Sequence, residues 1–427
     1  MSVVSLLLFF FLSLISSIAK ASVPRSATFK YVIAGKFSPY VVEYGGNYRM
    51  IWQIFNSPFQ LGYYNTTPNA FSTLALRMGL LRSESQLRWV WEFNRGKPIR
   101  ENATFALGTD GNLVLAEADG SIVWQSNTAK KGVVGFDLLP NGNMVLNDSR
   151  GHFVWQSFDY PTDTLLVGQA LRVVGGVNRL VSRKSQKENV NGPYSLALEP
   201  KGLSMYYNSP RPPVVYFTSS QWGIQQGSID KLLVSSTQTL LGKPKYNSTS
   251  SMLQLEIEGN LKLYTYNDKV DWHAWEVTFN LFSRDSNWEN ECQLPERCNK
   301  FGVCDDNQYV ACPSEEGKLL GWGKECEARK VNSCDVKDFH YYKLDGVDHF
   351  MTKYNSGSGV MKVDECGKKC SGDCKCLGYF YHQETSKCWI AYNLMTLSKT
   401  MLHDTADYFQ LYDEQMMIDQ KPLDHLS

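Results

Sequence analysis

Short β-type runs dominate the first two thirds of this chain. From Lys30 to about Phe282, apolar and β-branched residues come in brief stretches broken by Gly, Asn, Pro and Asp. Val41-Val42, Leu113-Val114-Leu115, Met144-Val145-Leu146, Val214-Val215-Tyr216-Phe217 and Leu261-Lys262-Leu263-Tyr264 are examples. Helical periodicity is scarce. Many short strands at regular spacing predict an all-β architecture.

The pattern also repeats. Phe105, Leu107, Asp110, Gly111, Asn112, Val114, Leu115, Gly120, Val123, Trp124, Gln125 and Ser126 recur thirty-one residues later as Phe136, Leu138, Asn141, Gly142, Asn143, Val145, Leu146, Gly151, Val154, Trp155, Gln156 and Ser157. A fixed period means one supersecondary unit used more than once. Upstream, Val90-Trp91-Glu92-Phe93-Asn94 echoes Val123-Trp124-Gln125-Ser126-Asn127. Each unit has an apolar strand, a turn such as Asp119-Gly120 or Arg150-Gly151, and a second strand ending in Trp. None buries a face alone. Packed about an axis, with Trp91, Trp124 and Trp155 at the centre, they predict a three-sided prism of small sheets. Further on, Leu255 to Tyr264 resembles the strand beginning at Leu107, and Trp275 follows at a similar distance. A second, diverged copy is expected there.

Composition adds the compartment. All eleven cysteines lie after residue 291. The first twenty-one residues read as a secretory signal, with an apolar run from Val3 to Ile15 and an Ala19-Lys20-Ala21 cleavage pattern. Export agrees with the cysteines and with N-glycosylation sequons at Asn65, Asn102, Asn147 and Asn247. No other stretch is long and apolar enough to span a membrane. Formal net charge is +0, which gives a nucleic-acid partner no electrostatic support.

No catalytic constellation is present. The G-x-S-x-G elbow, the H-E-x-x-H helix and the phosphate-cradling G-x-x-x-x-G-K-[ST] loop are all missing from the sequence. Cys374-Lys375-Cys376 with His382 lacks the two separated pairs of a zinc site. The expectation is a non-enzyme with no metal and no cofactor.

Val154-Trp155-Gln156-Ser157-Phe158-Asp159-Tyr160-Pro161-Thr162-Asp163-Thr164-Leu165-Leu166 and Trp89-Val90-Trp91-Glu92-Phe93-Asn94-Arg95 resemble segments of the extracellular S-domain of plant S-locus glycoproteins and receptor kinases. With no kinase following, the chain is most similar to that family's secreted class of epidermis-specific glycoproteins. The resemblance implies tandem β-prism II modules of the bulb-type, mannose-binding lectin kind, then an EGF-like knot and a PAN/apple domain. The expected boundaries are 1–21 for the signal peptide, 22–168 for the first lectin domain and 169–288 for the diverged second. The knot follows at 289–330, the PAN/apple domain at 331–413 and a polar tail at 414–427.

Bulb-type lectins hold mannose with Q-x-D-x-N-x-V-x-Y on one strand, whose alternation puts the five side chains on one sheet face. Here the motif is eroded. The first copy keeps Asp110, Asn112 and Val114, with Gly108 and Ala116 at the outer positions. The second keeps Asn143 and Val145, and Asn147, itself a sequon, stands where the tyrosine belongs. The later copy offers Glu258, Asn260 and Tyr264, beside Glu256. Asp-Gly and Asn-Gly are also ordinary turn chemistry, so a scaffold role stands beside a sugar site at each strand.

For the cysteines the family pattern implies Cys292–Cys304, Cys298–Cys312, Cys366–Cys388, Cys370–Cys376 and Cys334–Cys374. Eleven is odd, and Cys312-Pro313-Ser314 lacks the second cysteine of the family's knot. Cys326 is therefore expected to be free or to bridge two chains. The functional expectation is a secreted cell-wall or apoplastic glycoprotein that binds glycans or glycoproteins, mannose-rich ones included, with the apple domain as a protein contact. A homodimer is compatible with it. The alternative is a structural or protein-interaction glycoprotein whose lectin strands bind no sugar.

Overall fold

The computed structural model describes residues 22–65, 72–79, 87–208, 212–219, 231–233, 250–267, 274–286, 289–299, 301–306, 308–313, 319–321, 326, 339–399 and 405–412. The expected signal peptide, Asn247, Cys334 and the tail 414–427 lie outside these residues. Two compact units emerge. One comprises Met1–Gly192, Ile229–Ile257 and Lys262–Phe279; the other comprises Pro193–Ser228, Glu258–Leu261 and Asn280–Ser427. The stretch 169–288 contributes to both.

The first unit contains the three-sheet arrangement that the repeat predicts. Strands Thr104–Leu107, Leu113–Ala116 and Ile122–Gln125 form one sheet, and Val133–Leu138, Met144–Asp148 and Phe153–Gln156 form the next. Their registers match across the repeat. Phe105 lies opposite Leu115 and Leu115 opposite Trp124, while Phe136 lies opposite Leu146 and Leu146 opposite Trp155. The third sheet runs through Gly46–Asn56, Phe59–Asn65, Thr73–Met78 and Arg88–Glu92, with Leu61 opposite Leu76 and Leu76 opposite Trp91. The indoles meet edge to face, with ring centroids 6.5 Å apart for Trp91–Trp124, 6.1 Å for Trp91–Trp155 and 5.6 Å for Trp124–Trp155. Edge-to-face pairing adds to the burial of these large rings. Sequence reading missed strand Phe29–Val32, which adds a fourth member to the first sheet by pairing with Thr104–Leu107.

Turn glycines set the repeat's geometry. Gly142, of Asn141-Gly142, has φ +86, and a Cβ there would stand 2.7 Å from a Phe59 ring carbon and 2.8 Å from Leu166 Cδ1. Both left-handed backbone and core packing demand glycine at this position.

The two signature segments join through buried charge. Arg95 pairs with Glu92 at 2.7 Å and with Asp163 at 2.6 Å, and Arg183 reaches Glu92 at 3.3 Å and the Tyr64 hydroxyl at 2.6 Å. Trp91 Nε1 donates to the Tyr160 carbonyl at 2.7 Å. Burial alone would raise the Glu92 carboxyl, but Arg95 and Arg183 hold it below its ordinary value. These contacts account physically for residues that pattern analysis marks only as a signature.

The second unit is disulfide-stapled. Helix Val363–Ser371 presents Cys366 and Cys370 one turn apart. They bond to Cys388 and Cys376, pinning the helix to strand Lys387–Ala391 and to the turn just before strand Gly378–His382. The expected knot and apple modules share a sheet. Its order is Leu319–Gly321, Gln308–Pro313, Val303–Asp305, Leu397–Lys399, Val347–His349, and the Val303–Asp305/Leu397–Lys399 pairing is parallel. The boundary placed at 330/331 therefore does not separate two independent sheets.

Two cysteine expectations are corrected. Cys292–Cys304 forms, but Cys312 bonds to Cys326, and Cys298 is the free thiol among the described residues. Cys312 sits opposite Leu320 in its strand pair, and Leu320 is six residues before Cys326 in sequence. Cys298 is buried, with its backbone N–H donating to Thr396 Oγ1 at 2.9 Å. Burial pushes the Cys298 thiol up to about 11. Cys326 is thus neither free nor available to a second chain. Cys374 is also disulfide-bonded.

Candidate glycan-binding site

The first motif copy begins in a tight turn. Gly108 N–H donates to the Asn112 carbonyl at 3.1 Å and Gly111 N–H to the Gly108 carbonyl at 3.0 Å. Asp110 Oδ1 accepts from Asn112 N–H at 3.0 Å. The Asn112 side chain turns inward and is 9% exposed. Its Nδ2 donates to Gln125 Oε1 at 2.9 Å, and its Oδ1 accepts from Ser126 Oγ and Thr128 N–H, both at 3.1 Å. The oxygen has no lone pair left for a ligand.

The second copy repeats this arrangement. Asn141 Oδ1 accepts from Asn143 N–H at 3.2 Å. Asn143 Nδ2 donates to Gln156 Oε1 at 2.8 Å, and its Oδ1 accepts from Ser157 Oγ at 3.3 Å and Phe158 N–H at 3.2 Å. The Asn-containing turn and the Trp-Gln-Ser end of each repeat are therefore two halves of one amide staple. Their thirty-one-residue recurrence reflects that shared bonding.

The two copies differ at the valine position. Asp110 is exposed and Val114 half-buried, whereas Val145 is 1% exposed and offers a sugar no face. A Cβ on Gly108 would lie 2.8 Å from Asp110 Oδ1, so the carboxylate leans over the position from which the motif's glutamine projects. Asn147 Nδ2 donates to Asp137 Oδ2 at 3.0 Å.

In the later copy Asn260 is buried, with Nδ2 donating to the Phe282 carbonyl at 2.9 Å and Oδ1 accepting from Phe282 N–H at 3.1 Å. Tyr264 is 6% exposed; its hydroxyl donates to Glu256, and Arg88 lies over its ring at 4.9 Å. Glu258 precedes Gly259 in a turn, and Tyr216 donates to the Gly259 carbonyl at 2.6 Å. Among the sequons, Asn102 is exposed and Asn147 half-buried, while Asn65 is buried at 5% exposure rather than at the surface expected of a glycan acceptor. No group of metal-ligating side chains occurs among the described residues, and no described helix is long and apolar enough to cross a membrane.

Comparison with known proteins places these observations in a family. Residues 88–186 match the family described as D-mannose binding lectin, the stretch that holds both staples and the buried ion pairs. EP1-like glycoprotein 4 of Arabidopsis thaliana is 48% identical over 93% of this chain and 94% of its own length. The epidermis-specific secreted glycoprotein EP1 of Daucus carota is 50% identical over 76% of this chain and 92% of its own. The putative receptor protein kinase ZmPK1 of Zea mays is 26% identical over 86% of this chain but 46% of its own length.

Proposed function

We propose, on the premise that this chain belongs to the EP1-like glycoprotein family, that it is an extracellular wall or apoplast glycoprotein whose lectin prism is a recognition scaffold rather than a mannose receptor. Its partners on this reading are proteins or glycoproteins, engaged through the prism surface and the apple-type region. The observation that supports it most is the amide staple: Asn112 and Asn143 direct both oxygen lone pairs to their own chain. A site built on hydrogen bonds to a sugar hydroxyl loses most of its discrimination when those bonds are missing.

A second reading keeps weak sugar binding at the 108–116 strand. The exposed Asp110 and half-buried Val114 favour it. A shallow site with so few donors would need multivalency to matter.

A glycan array separates the two. The natively glycosylated protein is expected to ignore mannose-rich glycans. Binding that Val114→Arg abolishes while the fold stays intact would replace the scaffold reading with the sugar reading.

A further inference from the structure

The third prism sheet has an edge that no motif announces. Strand Gly46–Asn56 pairs with Phe59–Asn65 on one side. On the other side Val41–Val42 covers it only at Gly46 and Asn47, and Ser38 N–H donates to the Tyr48 carbonyl at 2.8 Å. Past Tyr48 no strand lies on that edge among the described residues. Sheet edges are usually guarded by charge or proline, and Met50 to Ser57 carries neither. It carries exposed rings instead. Trp52 is 68% exposed and Phe55 56%.

A pocket of about 490 Å³ opens beside these rings. Phe37, Tyr48 and Met50 give it apolar surface, and the exposed Trp52 and Phe55 also border it. Lys36, Arg49 and Arg77 add three cations, and the lining holds no carboxylate. None of its residues belongs to the three eroded motif copies.

This lining suits an aromatic guest better than an anion. Arg49 already donates to Glu101 at 2.8 Å and to the Gly35 carbonyl, and Arg77 donates to Gln60 Oε1 at 2.6 Å. A guanidinium whose N–H groups are engaged still attracts the face of a ring. Arg49 does so with Phe37, at 4.2 Å from the ring centroid. Apolar walls with cations among them therefore fit a large ring, and the chain displays such a ring at the pocket's own border.

We propose that this edge is the contact surface of a homodimer, in which Trp52 of each copy seats in the pocket of the other. Guest and host lie on one patch of one chain, which a two-fold interface requires, because each copy then gives and receives the same contact. A tryptophan filling a pocket is also the usual form of an interface anchor. At the exposures of Trp52 and Phe55, the four rings of a dimer would bury about 500 Å². That is short of the roughly 1,200 Å² of a stable complex, so the dimer is weak and reversible. The proposal does not depend on sugar binding at any prism strand.

Sedimentation velocity on the full glycosylated protein, from about 1 to 200 µM, reads the association. The wild type is expected to dimerise with a Kd of roughly tens of micromolar. Trp52→Ala removes the guest and leaves the pocket open, and is expected to weaken association about tenfold or more. Phe55→Lys sets like charges against each other across the two-fold axis and is expected to abolish it. Circular dichroism melts establish that each variant folds. Phe153, on the second sheet, is 49% exposed, and Phe153→Lys is expected to leave the dimer unchanged. The proposal is overturned if the wild type stays monomeric throughout, if either folded edge variant associates as tightly as the wild type, or if Phe153→Lys dissociates the dimer.

Discussion

The prism strands and the disulfide-stapled back are opposites in what sequence and structure each reveal. The prism carries a recognisable sugar motif, yet the amides at Asn112 and Asn143 are engaged by Gln125, Ser126 and Thr128 and by Gln156, Ser157 and Phe158. The back carries no motif, yet among the described residues His349 Nε2 and Asn290 Oδ1 are buried without a hydrogen-bond partner. A motif whose central amides are satisfied internally has become architecture.

The largest effect that sharpens this contrast comes from the prism's buried charge. Arg95→Met would strand Glu92 and Asp163 without their shared cation, both carboxylates being at least nine-tenths buried. Removing one member of such a set costs about 3–5 kcal/mol. Thermal or urea unfolding should show the loss in full, and a stability change under about 1 kcal/mol would mean that the network contributes little. The stapled region makes the next prediction. The Cys312–Cys326 bond closes a loop with a sequence separation of 14, and a loop of that size is worth about 3 kcal/mol. Cys326→Ser should lose roughly that much, and Cys298→Ala far less. Alkylation of unfolded, unreduced protein followed by mass mapping should label Cys298 and spare Cys326.

These two results bear on what the sequence could disclose. The prism was legible because it is repetitive. Identical spacings of Phe105, Leu115, Trp124 and Phe136, Leu146, Trp155 demand identical registers, and both sheets have them. Trp91 followed from the same echo. Partners distant in sequence were not legible. Nothing in the spacing of Val303–Asp305 and Leu397–Lys399 signals that they pair in parallel. The odd thiol was foreseeable from the count, but its identity was not. The family pattern points to Cys326, whereas Cys326 bonds to Cys312 and Cys298 is left as a free thiol.

The staple gives a middle-sized test. Asn143→Ala would leave Ser157 Oγ and Phe158 N–H without their shared acceptor in a buried place. Orphaning buried donors costs about 1–3 kcal/mol. Asn112→Ala should behave alike, since its bonds to Ser126 and Thr128 are the same in kind. A large loss of glycan binding without loss of stability in either variant would contradict the scaffold reading.

Acid sharpens the other side of the comparison. The folded-state pKa of His349 is lowered to about 3, against an ordinary value of about 6.5 in the unfolded chain. Between those values the unfolded chain binds a proton that the folded protein does not, so stability rises with pH. The contribution of His349 is complete above about pH 6.5 and falls away as pH drops toward 3. Lowering pH from about 6.5 to 5 should remove about 1.5 kcal/mol through this residue alone. Comparing unfolding curves of wild type and His349→Phe at both pH values isolates it, and an equal acid loss in the variant would assign the effect to other groups.

The smallest effect is the most discriminating. Val114 is half-buried on the outer face of its strand, while its repeat partner Val145 is 1% exposed. Val114→Arg can carry its guanidinium outward into water, so its stability cost should stay within about 0.5 kcal/mol. Val145→Arg must bury a charge with no partner provided, and it should cost several kcal/mol or prevent folding. The two sites share one position in the repeat, and only their surroundings differ. If both substitutions are tolerated, the second strand is more open than its packing indicates, and the second copy regains its claim to a sugar. If Val145→Arg alone fails, one repeat unit has kept an outward face while its twin has been absorbed into the core.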